Sequence, residues 1–111
     1  MKRTTLSLAA VAATASLILT ATPASAAAYI EAEATTNVYS RTAPDPTAST
    51  VYLFQGGQIA YVFCWVTGTS INGDTVWYRV RPRPEAGTPQ GYVPGWYLTT
   101  GSDPNPNVGH C

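Results

Sequence analysis

The runs Val76-Trp77-Tyr78-Arg79-Val80 and, after ten intervening residues, Gly91-Tyr92-Val93-Pro94-Gly95-Trp96-Tyr97-Leu98 decide the fold of this 111-residue chain. Both runs mix aromatic and β-branched residues, which favour strands, with glycine and proline, which favour turns. We expect them to form the last strands of a small antiparallel sheet. Their aromatic side chains are then candidates for the lining of a shallow binding groove.

The segments upstream of these runs have the same character. Short strand candidates lie at residues 36–40 and 51–54, with a proline-containing loop between them, and residues 58–67 form the longest candidate. Asn72-Gly73-Asp74 is a hairpin turn signal, and residues 82–89 form a proline-rich loop. Five or six short antiparallel strands separated by turns predict an all-β barrel or sandwich.

The N-terminal residues have the pattern of a secretory signal peptide. Met1-Lys2-Arg3 is positive, residues 6–19 are apolar, and Ala24-Ser25-Ala26 matches the A-x-A cleavage pattern. We therefore assign residues 1–26 to a cleaved signal peptide and expect the protein to be secreted, in the extracellular space or at the cell wall. We expect no stable membrane insertion after cleavage, because the apolar segment is shorter than the about 20 residues that a span requires.

Residues 27–35 follow the predicted cleavage site. They alternate apolar and acidic residues, as in Ile30-Glu31-Ala32-Glu33-Ala34. This alternation suits either a weak first strand or a flexible lead-in to the domain. We favour the lead-in.

The composition of residues 27–111 argues against a nucleic-acid partner. This part of the chain contains four Arg, no Lys and six carboxylates, so its formal charge is −2. Binding to a phosphate backbone depends on several basic side chains that neutralise it. The three Trp, seven Tyr and two Phe all lie after residue 26, which is a high density of aromatic side chains for one small domain.

Both cysteines, Cys64 and Cys111, lie in the predicted mature chain. Exported proteins meet an oxidising environment, so we expect a disulfide between them. The alternative, a metal or catalytic pair at His110-Cys111, is disfavoured. Adjacent residues do not easily converge on one metal ion, and residues 27–111 contain no other histidine. We expect neither a metal nor a cofactor.

The longest strand candidate is apolar on both faces, so its side chains fall into two alternating sets. The larger set is Ile59, Tyr61, Phe63 and Trp65. The smaller set is Ala60, Val62, Cys64 and Val66. Because a shift of one residue exchanges the two faces, the turn that follows decides which set is buried.

A two-residue turn at Asn72-Gly73 would place Trp65 opposite Val80, whereas a three-residue turn that includes Asp74 would place Val66 there. We favour the three-residue turn. It directs the smaller set inward and leaves the larger set on an outer face beside Trp77 and Arg79, where contiguous exposed aromatics mark a contact surface. The alternative is that residues 101–111 fold over this face and make it part of the core.

Six different features follow one another along the chain. They are Asn37-Val38-Tyr39-Ser40, a proline-containing loop, a strand that begins at Gly57, Trp77-Tyr78-Arg79-Val80, Gly91-Tyr92-Val93 and Tyr97-Leu98. In this order and spacing they resemble the bacterial SH3-like (SH3b-type) domain. The two cysteines are similar to those of small secreted variants that are common in actinobacteria. The resemblance covers about residues 35–100 and implies an SH3-like barrel at residues 36–100, with a disulfide-tied tail at residues 101–111.

The chain departs from the family pattern at two places. Tyr39 stands where the family commonly has Arg, and the loop after Val80 is longer and richer in proline. Family members often accompany wall-lytic catalytic domains and are thought to bind peptidoglycan. The resemblance therefore implies a binding role here, without the contact that the family arginine would make.

The first functional hypothesis is a secreted, non-catalytic module that binds peptidoglycan peptides or other extended peptides. Aromatic-lined grooves recognise such ligands, and arginine side chains bind carboxylates. The candidate ligand-binding residues are Tyr39, Trp65, Trp77, Arg79, Arg81, Trp96 and Tyr97. The alternative for each aromatic residue is a place in the core.

The second hypothesis is a secreted protein-partner module, such as an inhibitor or a surface-assembly component. It would use the outer aromatic face or Arg81-Pro82-Arg83-Pro84, which is a rigid basic segment in this interpretation. The competing interpretation of that segment is an ordinary solvated loop.

An enzymatic role is disfavoured. Glu31 and Glu33 lack the enclosure that raises the pKa of a carboxyl group for acid catalysis. His110, the single histidine of residues 27–111, lies beside the predicted disulfide, so a serine or cysteine nucleophile has no credible base.

Overall fold

The computed structural model describes residues 29–84 and 87–111. The predicted signal peptide at residues 1–26 lies outside the described residues. No helix in the described part of the chain has the length and apolarity that a membrane crossing requires.

The described residues form one antiparallel, six-stranded sheet that curves into a half-barrel. The strands are β1 (Ile30–Glu33), β2 (Val38–Arg41), β3 (Thr50–Phe54), β4 (Ile59–Ile71), β5 (Asp74–Pro82) and β6 (Gly91–Pro94), followed by a 3-10 turn at Gly95–Tyr97. Their order across the sheet is β1-β4-β5-β6-β2-β3. The predicted all-β class and the number of strands are confirmed.

Residues 30–33 form a strand, so our preference for a flexible lead-in is wrong for the described part of this segment, residues 29–35. β1 pairs with the first residues of β4, and Ala32 lies opposite Ala60. Ala32 and Ala34 are buried, whereas Glu31 and Glu33 face solvent. The alternation of apolar and acidic residues therefore indicated a strand, in which the small side chains of Ala32 and Ala34 pack against the core.

The β4–β5 hairpin closes through a two-residue turn, which corrects the predicted three-residue turn. Ile71 pairs with Asp74 across Asn72 and Gly73, whose φ angles are 52° and 88°. Asparagine and glycine tolerate such positive φ angles, as tight hairpin turns require. Further along, the pairing shifts at two irregularities, between Thr67 and Ile71 and between Val62 and Cys64.

The shift in strand pairing near Phe63 exchanges the inward and outward faces of β4 in the residues that follow it. Before it, Val62 lies opposite Val80 and is fully buried, as predicted for the smaller set. After it, Trp65 lies opposite Tyr78 and packs against the core, whereas Cys64 lies opposite the exposed Arg79. The predicted faces of Cys64 and Trp65 are thus wrong, because a bulge exchanges the two faces of the strand beyond it.

The core lies on the concave side of the sheet. Its fully buried side chains come from five of the strands and include Phe54, Val62, Tyr78, Val80 and Val93. β6 approaches β2 closely at Gly91, where an added Cβ would lie 2.9 Å from the Ser40 side chain. Glycine at this position allows the two strands to pair.

The loop between β2 and β3 covers Trp77. This side chain is only 1% exposed, and its indole nitrogen donates a 2.8 Å hydrogen bond to the Thr69 carbonyl oxygen. The backbone amide of Thr69 in turn donates to the carbonyl oxygen of Pro44 in the loop. Trp77 therefore joins the outer side of the hairpin to the covering loop.

The predicted disulfide between Cys64 and Cys111 is confirmed, with Cα atoms 4.9 Å apart. The tail takes the edge of β4 that β1 leaves free. Trp65 donates its backbone amide hydrogen to Gly109, and Cys111 donates to the Trp65 carbonyl oxygen. Val108 of the tail is buried in the core, whereas Cys111 at its end is bonded to Cys64, which lies beside Arg79. Arg79 itself stays exposed.

Candidate functional site

One row of side chains crosses four strands on the convex side of the sheet. Arg79 of β5 lies opposite Cys64 of β4 on one side and opposite Tyr92 of β6 on the other, and Tyr92 lies opposite Arg41 of β2. Directly paired residues of antiparallel strands point to the same face. Arg79 and Arg41 thus flank Tyr92 on one surface.

A second row lies one step along the same surface. Tyr61 of β4 pairs with Arg81 of β5, and the Arg81 guanidinium stands 5.4 Å from the centre of the Tyr61 ring. On the other side Tyr61 pairs with Glu31, which accepts a 2.7 Å hydrogen bond from Arg83. Such arginine–aromatic contacts stabilise a defined position of the guanidinium.

Tyr39 extends the surface towards the sheet edge. It is 43% exposed, and the Arg41 guanidinium lies 5.9 Å from the centre of its ring. Arg41 also donates a 2.8 Å hydrogen bond to the carbonyl oxygen of Ala48, which anchors its side chain. We refer to the whole surface as the arginine–tyrosine face; it comprises Tyr39, Arg41, Tyr61, Arg79, Arg81 and Tyr92.

A second feature, with acidic character, lies at the β4–β5 turn. A cavity of about 510 Å³ opens there between the turn, the 3-10 segment and the tail. Trp96, which is 51% exposed, lines it together with Asp74 and Asp103. An added Cβ at Gly95 would come within 2.6 Å of the Asp103 carboxylate, so glycine allows the tail to approach here.

Asp103 is fixed by a hydrogen-bond network. Its Oδ1 accepts hydrogen bonds from the Tyr78 hydroxyl at 2.8 Å and from the Thr100 hydroxyl at 2.6 Å. The Tyr78 oxygen also accepts a bond from the Asn105 amide at 2.9 Å. Burial raises the pKa of Tyr78 to about 12, and its bond to Asp103 acts in the same direction. Tyr78 is therefore a neutral donor that ties the tail to the core.

The carboxyl of Asp74 lines this cavity together with that of Asp103. Burial raises its pKa above the ordinary 3.8, and a hydrogen bond shared with Asp103 in the protonated state raises it further. The bond from the Val76 amide acts in the opposite direction. The cavity thus holds two carboxyl groups that resist being charged together.

We expect Asp74→Asn to stabilise the protein at about pH 7 and to change its stability little at about pH 2.5. The folded protein retains the Asp74 proton to higher pH than the unfolded chain does. The free energy of unfolding therefore falls as pH rises from 3.8 through the folded-state pKa, and asparagine removes this loss. Urea unfolding of both proteins at the two pH values measures the effect.

Asp45→Asn is the matched control, because the pKa of Asp45 is shifted in the opposite direction and the expected change in stability has the opposite sign. Hydrogen bonds from the Thr47 hydroxyl and amide lower the pKa of Asp45, so its stabilisation is present above pH 3.8 and disappears at lower pH. This variant should lose stability at about pH 7. An equal effect of Asp74→Asn at both pH values would contradict the assignment of the Asp74 proton.

The structure brings three of the predicted site residues together. Tyr39, Arg79 and Arg81 share the arginine–tyrosine face, but the four other residues lie elsewhere. Trp77 is covered by the 42–49 loop, and Trp65 packs against the core, with its ring 4.5 Å from that of His110. For these two residues, the alternative of a core position is the one that the structure supports.

The last two predicted residues lie near the acidic cavity. Trp96 lines the cavity, and Tyr97 follows it in the 3-10 segment, where its carbonyl oxygen accepts a hydrogen bond from the Thr35 amide. The basic segment that begins at Arg81 was predicted to be an exposed segment, but part of it is buried or paired. Pro82 is buried, and Arg83 forms its ion pair with Glu31.

Sequence reasoning missed Arg41 and Tyr92 as members of the face. A signal for Arg41 was present, because it lies two positions after Tyr39 and side chains two apart share a strand face. Tyr92 becomes relevant only through pairing between strands that are distant in sequence. Membership of the face therefore follows from sheet topology.

The chain matches no protein-family model, and no curated protein matches it.

Proposed function

We propose that this protein is a secreted, non-catalytic binding module with a fold of the bacterial SH3-like type. Its ligand is a peptide of the cell wall or another extended peptide, and the arginine–tyrosine face is the binding surface. One observation carries the proposal: the convex side presents paired arginine and tyrosine side chains, whereas the concave side is filled by the core and the tail.

The chemistry of the face supports peptide binding. Tyrosine supplies a large contact area at a low entropic cost, and arginine supplies several donors for backbone carbonyls and carboxylates. Tyr39 is the most exposed tyrosine of the face, and Arg79 is also exposed. The arrangement rests on paired strands, so the side chains are held in place before a ligand arrives.

The disulfide supports the secreted location. Disulfides persist in oxidising compartments and are rare in the reducing cytosol. The bridge between Cys64 and Cys111 joins the tail to the central strand without covering Arg79. A small exported module would gain stability from this link and keep its binding surface open.

Sedimentation with purified peptidoglycan tests the proposal. We expect the full mature chain to be retained and Tyr39→Ala to bind about fivefold more weakly, which corresponds to about 1 kcal/mol for loss of an exposed aromatic contact. Trp96→Ala is the matched control, because Trp96 is similarly exposed but lies outside the face. It should bind like the unchanged protein.

Two outcomes would contradict this function. No retention of the unchanged protein would rule out wall binding, and equal weakening by the two variants would remove the face from the site. Co-purification of a stoichiometric protein partner from culture medium, without retention on peptidoglycan, would favour the second hypothesis of a protein-partner module.

A further inference from the structure

The turn between β4 and β5 consists of Asn72 and Gly73, and both residues are exposed. The strand pairing closes at Ile71 and Asp74, so the backbone amide of Gly73 takes no part in the ladder. None of the described residues forms a hydrogen bond with the Asn72 side chain. The space around the turn is open, because an added Cβ at Gly73 would meet no atom within 4 Å. The side-chain amide and the backbone nitrogen that follows it are therefore both accessible and unrestrained by hydrogen bonds.

These two groups suit a spontaneous reaction, the deamidation of asparagine. The backbone nitrogen of Gly73 forms a bond to the side-chain carbonyl carbon of Asn72, and the bond from that carbon to the side-chain nitrogen breaks. Ammonia leaves with the proton of the Gly73 amide. Water then opens the resulting five-membered succinimide ring at either of its two carbonyl carbons. The products are ammonia and an aspartate or isoaspartate residue, and no oxidant or reductant takes part.

The three other asparagines of the sequence are poorly placed for this reaction. Asn37 and Asn107 are followed by valine, whose branched side chain obstructs the approach of the nitrogen, and Asn105 is followed by proline, which has no N–H group. Hydrogen bonds of 2.9 and 2.7 Å also hold the side chains of Asn37 and Asn105. Asn72 alone is followed by glycine, which has no Cβ beside the attacking nitrogen.

The side chain at position 72 also lines the acidic cavity. The titratable groups of that cavity are Asp74 on β5 and Asp103 in the tail, and the Tyr78 hydroxyl is bonded to Asp103. Among the described residues, no basic side chain lines the cavity. A carboxylate at position 72 would thus join two carboxyl groups that already resist being charged together.

We infer that Asn72 is a deamidation site, and that its conversion to aspartate or isoaspartate weakens the junction between the β4–β5 turn and the tail. Aspartate adds a negative charge to the acidic cavity. Isoaspartate also lengthens the backbone by one methylene group, within a turn that depends on two consecutive positive φ angles. The site does not belong to the arginine–tyrosine face, so the proposed function does not enter the test.

Peptide mass spectrometry of the full mature chain, incubated at mildly alkaline pH, tests the reaction. After reduction of the disulfide, trypsin cleaves at Arg41 and Arg79, because the other two arginines of the mature chain precede proline. Of the three fragments, only the middle one contains Asn72. We expect it to gain about 1 Da, the difference between an amide and a carboxyl group. The gain should be at least about tenfold faster than in the other two fragments, because only this asparagine precedes glycine.

Asn72→Gly is the matched control, because glycine tolerates the positive φ of the turn and carries no side-chain amide. The middle fragment of this variant should gain no mass. An equal gain in the variant and the unchanged protein would assign the reaction to Gln55 or Gln58 and overturn the inference. A middle fragment that gains mass no faster than the other two fragments would also overturn it.

Urea unfolding of Asn72→Asp tests the consequence for stability. We expect a lower urea midpoint than that of the unchanged protein at about pH 7, and little difference at about pH 2.5, where carboxyl groups are protonated. Adding Asp74→Asn should restore most of the midpoint. Asn107→Asp is the matched control, since Asn107 is exposed and lies outside the cavity. Equal midpoints of Asn72→Asp and Asn107→Asp at about pH 7 would overturn the link to the acidic cavity.

Discussion

Replacement of both cysteines by alanine should lower the free energy of unfolding by about 4 kcal/mol. The bridge from Cys64 to Cys111 closes a loop with a sequence separation of 47 residues, and the chain-entropy estimate for such a loop gives this value. The loss arises mainly in the unfolded state, because a chain without the bridge gains conformations on unfolding. Urea unfolding followed by tryptophan fluorescence measures the change.

The same experiment contains its own control. The unchanged protein, unfolded in the presence of a reducing agent, should match the double variant, because both lack the cross-link. The dependence of stability on urea should also become steeper, since the unbridged chain exposes more surface on unfolding. A loss well below about 1 kcal/mol would contradict the estimate that the bridge stabilises the protein mainly by restricting the unfolded chain.

Trp77→Ala should destabilise the protein by about 3–5 kcal/mol, the usual cost of truncating a large buried aromatic side chain. Trp77 is 1% exposed, and its indole nitrogen is the donor to the Thr69 carbonyl oxygen. The truncation leaves a cavity under the Pro44 loop and removes that donor. Because small domains are stable by only about 5–15 kcal/mol, part of this variant should be unfolded under mild denaturing conditions.

Two further variants separate packing from hydrogen bonding. Trp77→Phe retains most of the ring but not the N–H group, and should lose about 2 kcal/mol, from one hydrogen bond and a smaller ring. Trp96→Ala should cost less than about 1 kcal/mol, because its side chain is 51% exposed. Equal losses for Trp77→Ala and Trp96→Ala would contradict the placement of Trp77 in the interior.

The contrast between Trp77 and Trp96 shows how far local sequence could predict the candidate site. Both residues stand in similar aromatic runs, and both were candidates for a binding groove. Trp77 pairs with Val66 and Pro94, and this register directs its side chain to the convex side of the sheet. The side chain is nevertheless buried, because the loop around Pro44 lies over it. That loop is far away in sequence, so no local pattern distinguishes the two tryptophans.

Cys64 and Trp65 illustrate a second limit. Alternation along β4 correctly predicted that Ala60 and Val62 face the core, because that part of the strand is regular. One irregularity near Phe63 reversed the faces of the residues beyond it. A bulge depends on the fit between two strands and leaves no clear signature in the strand that contains it.

By itself, the sequence determined the all-β class, the positions of the main turns and the pairing of the two cysteines. These properties follow from backbone preferences of glycine, proline and β-branched residues, and from there being only two thiols to join. Tertiary structure alone decided which side chains share a surface. Arg41, Tyr92 and Arg79 meet only because β6 lies between β2 and β5, a contact between segments that the chain separates by long loops.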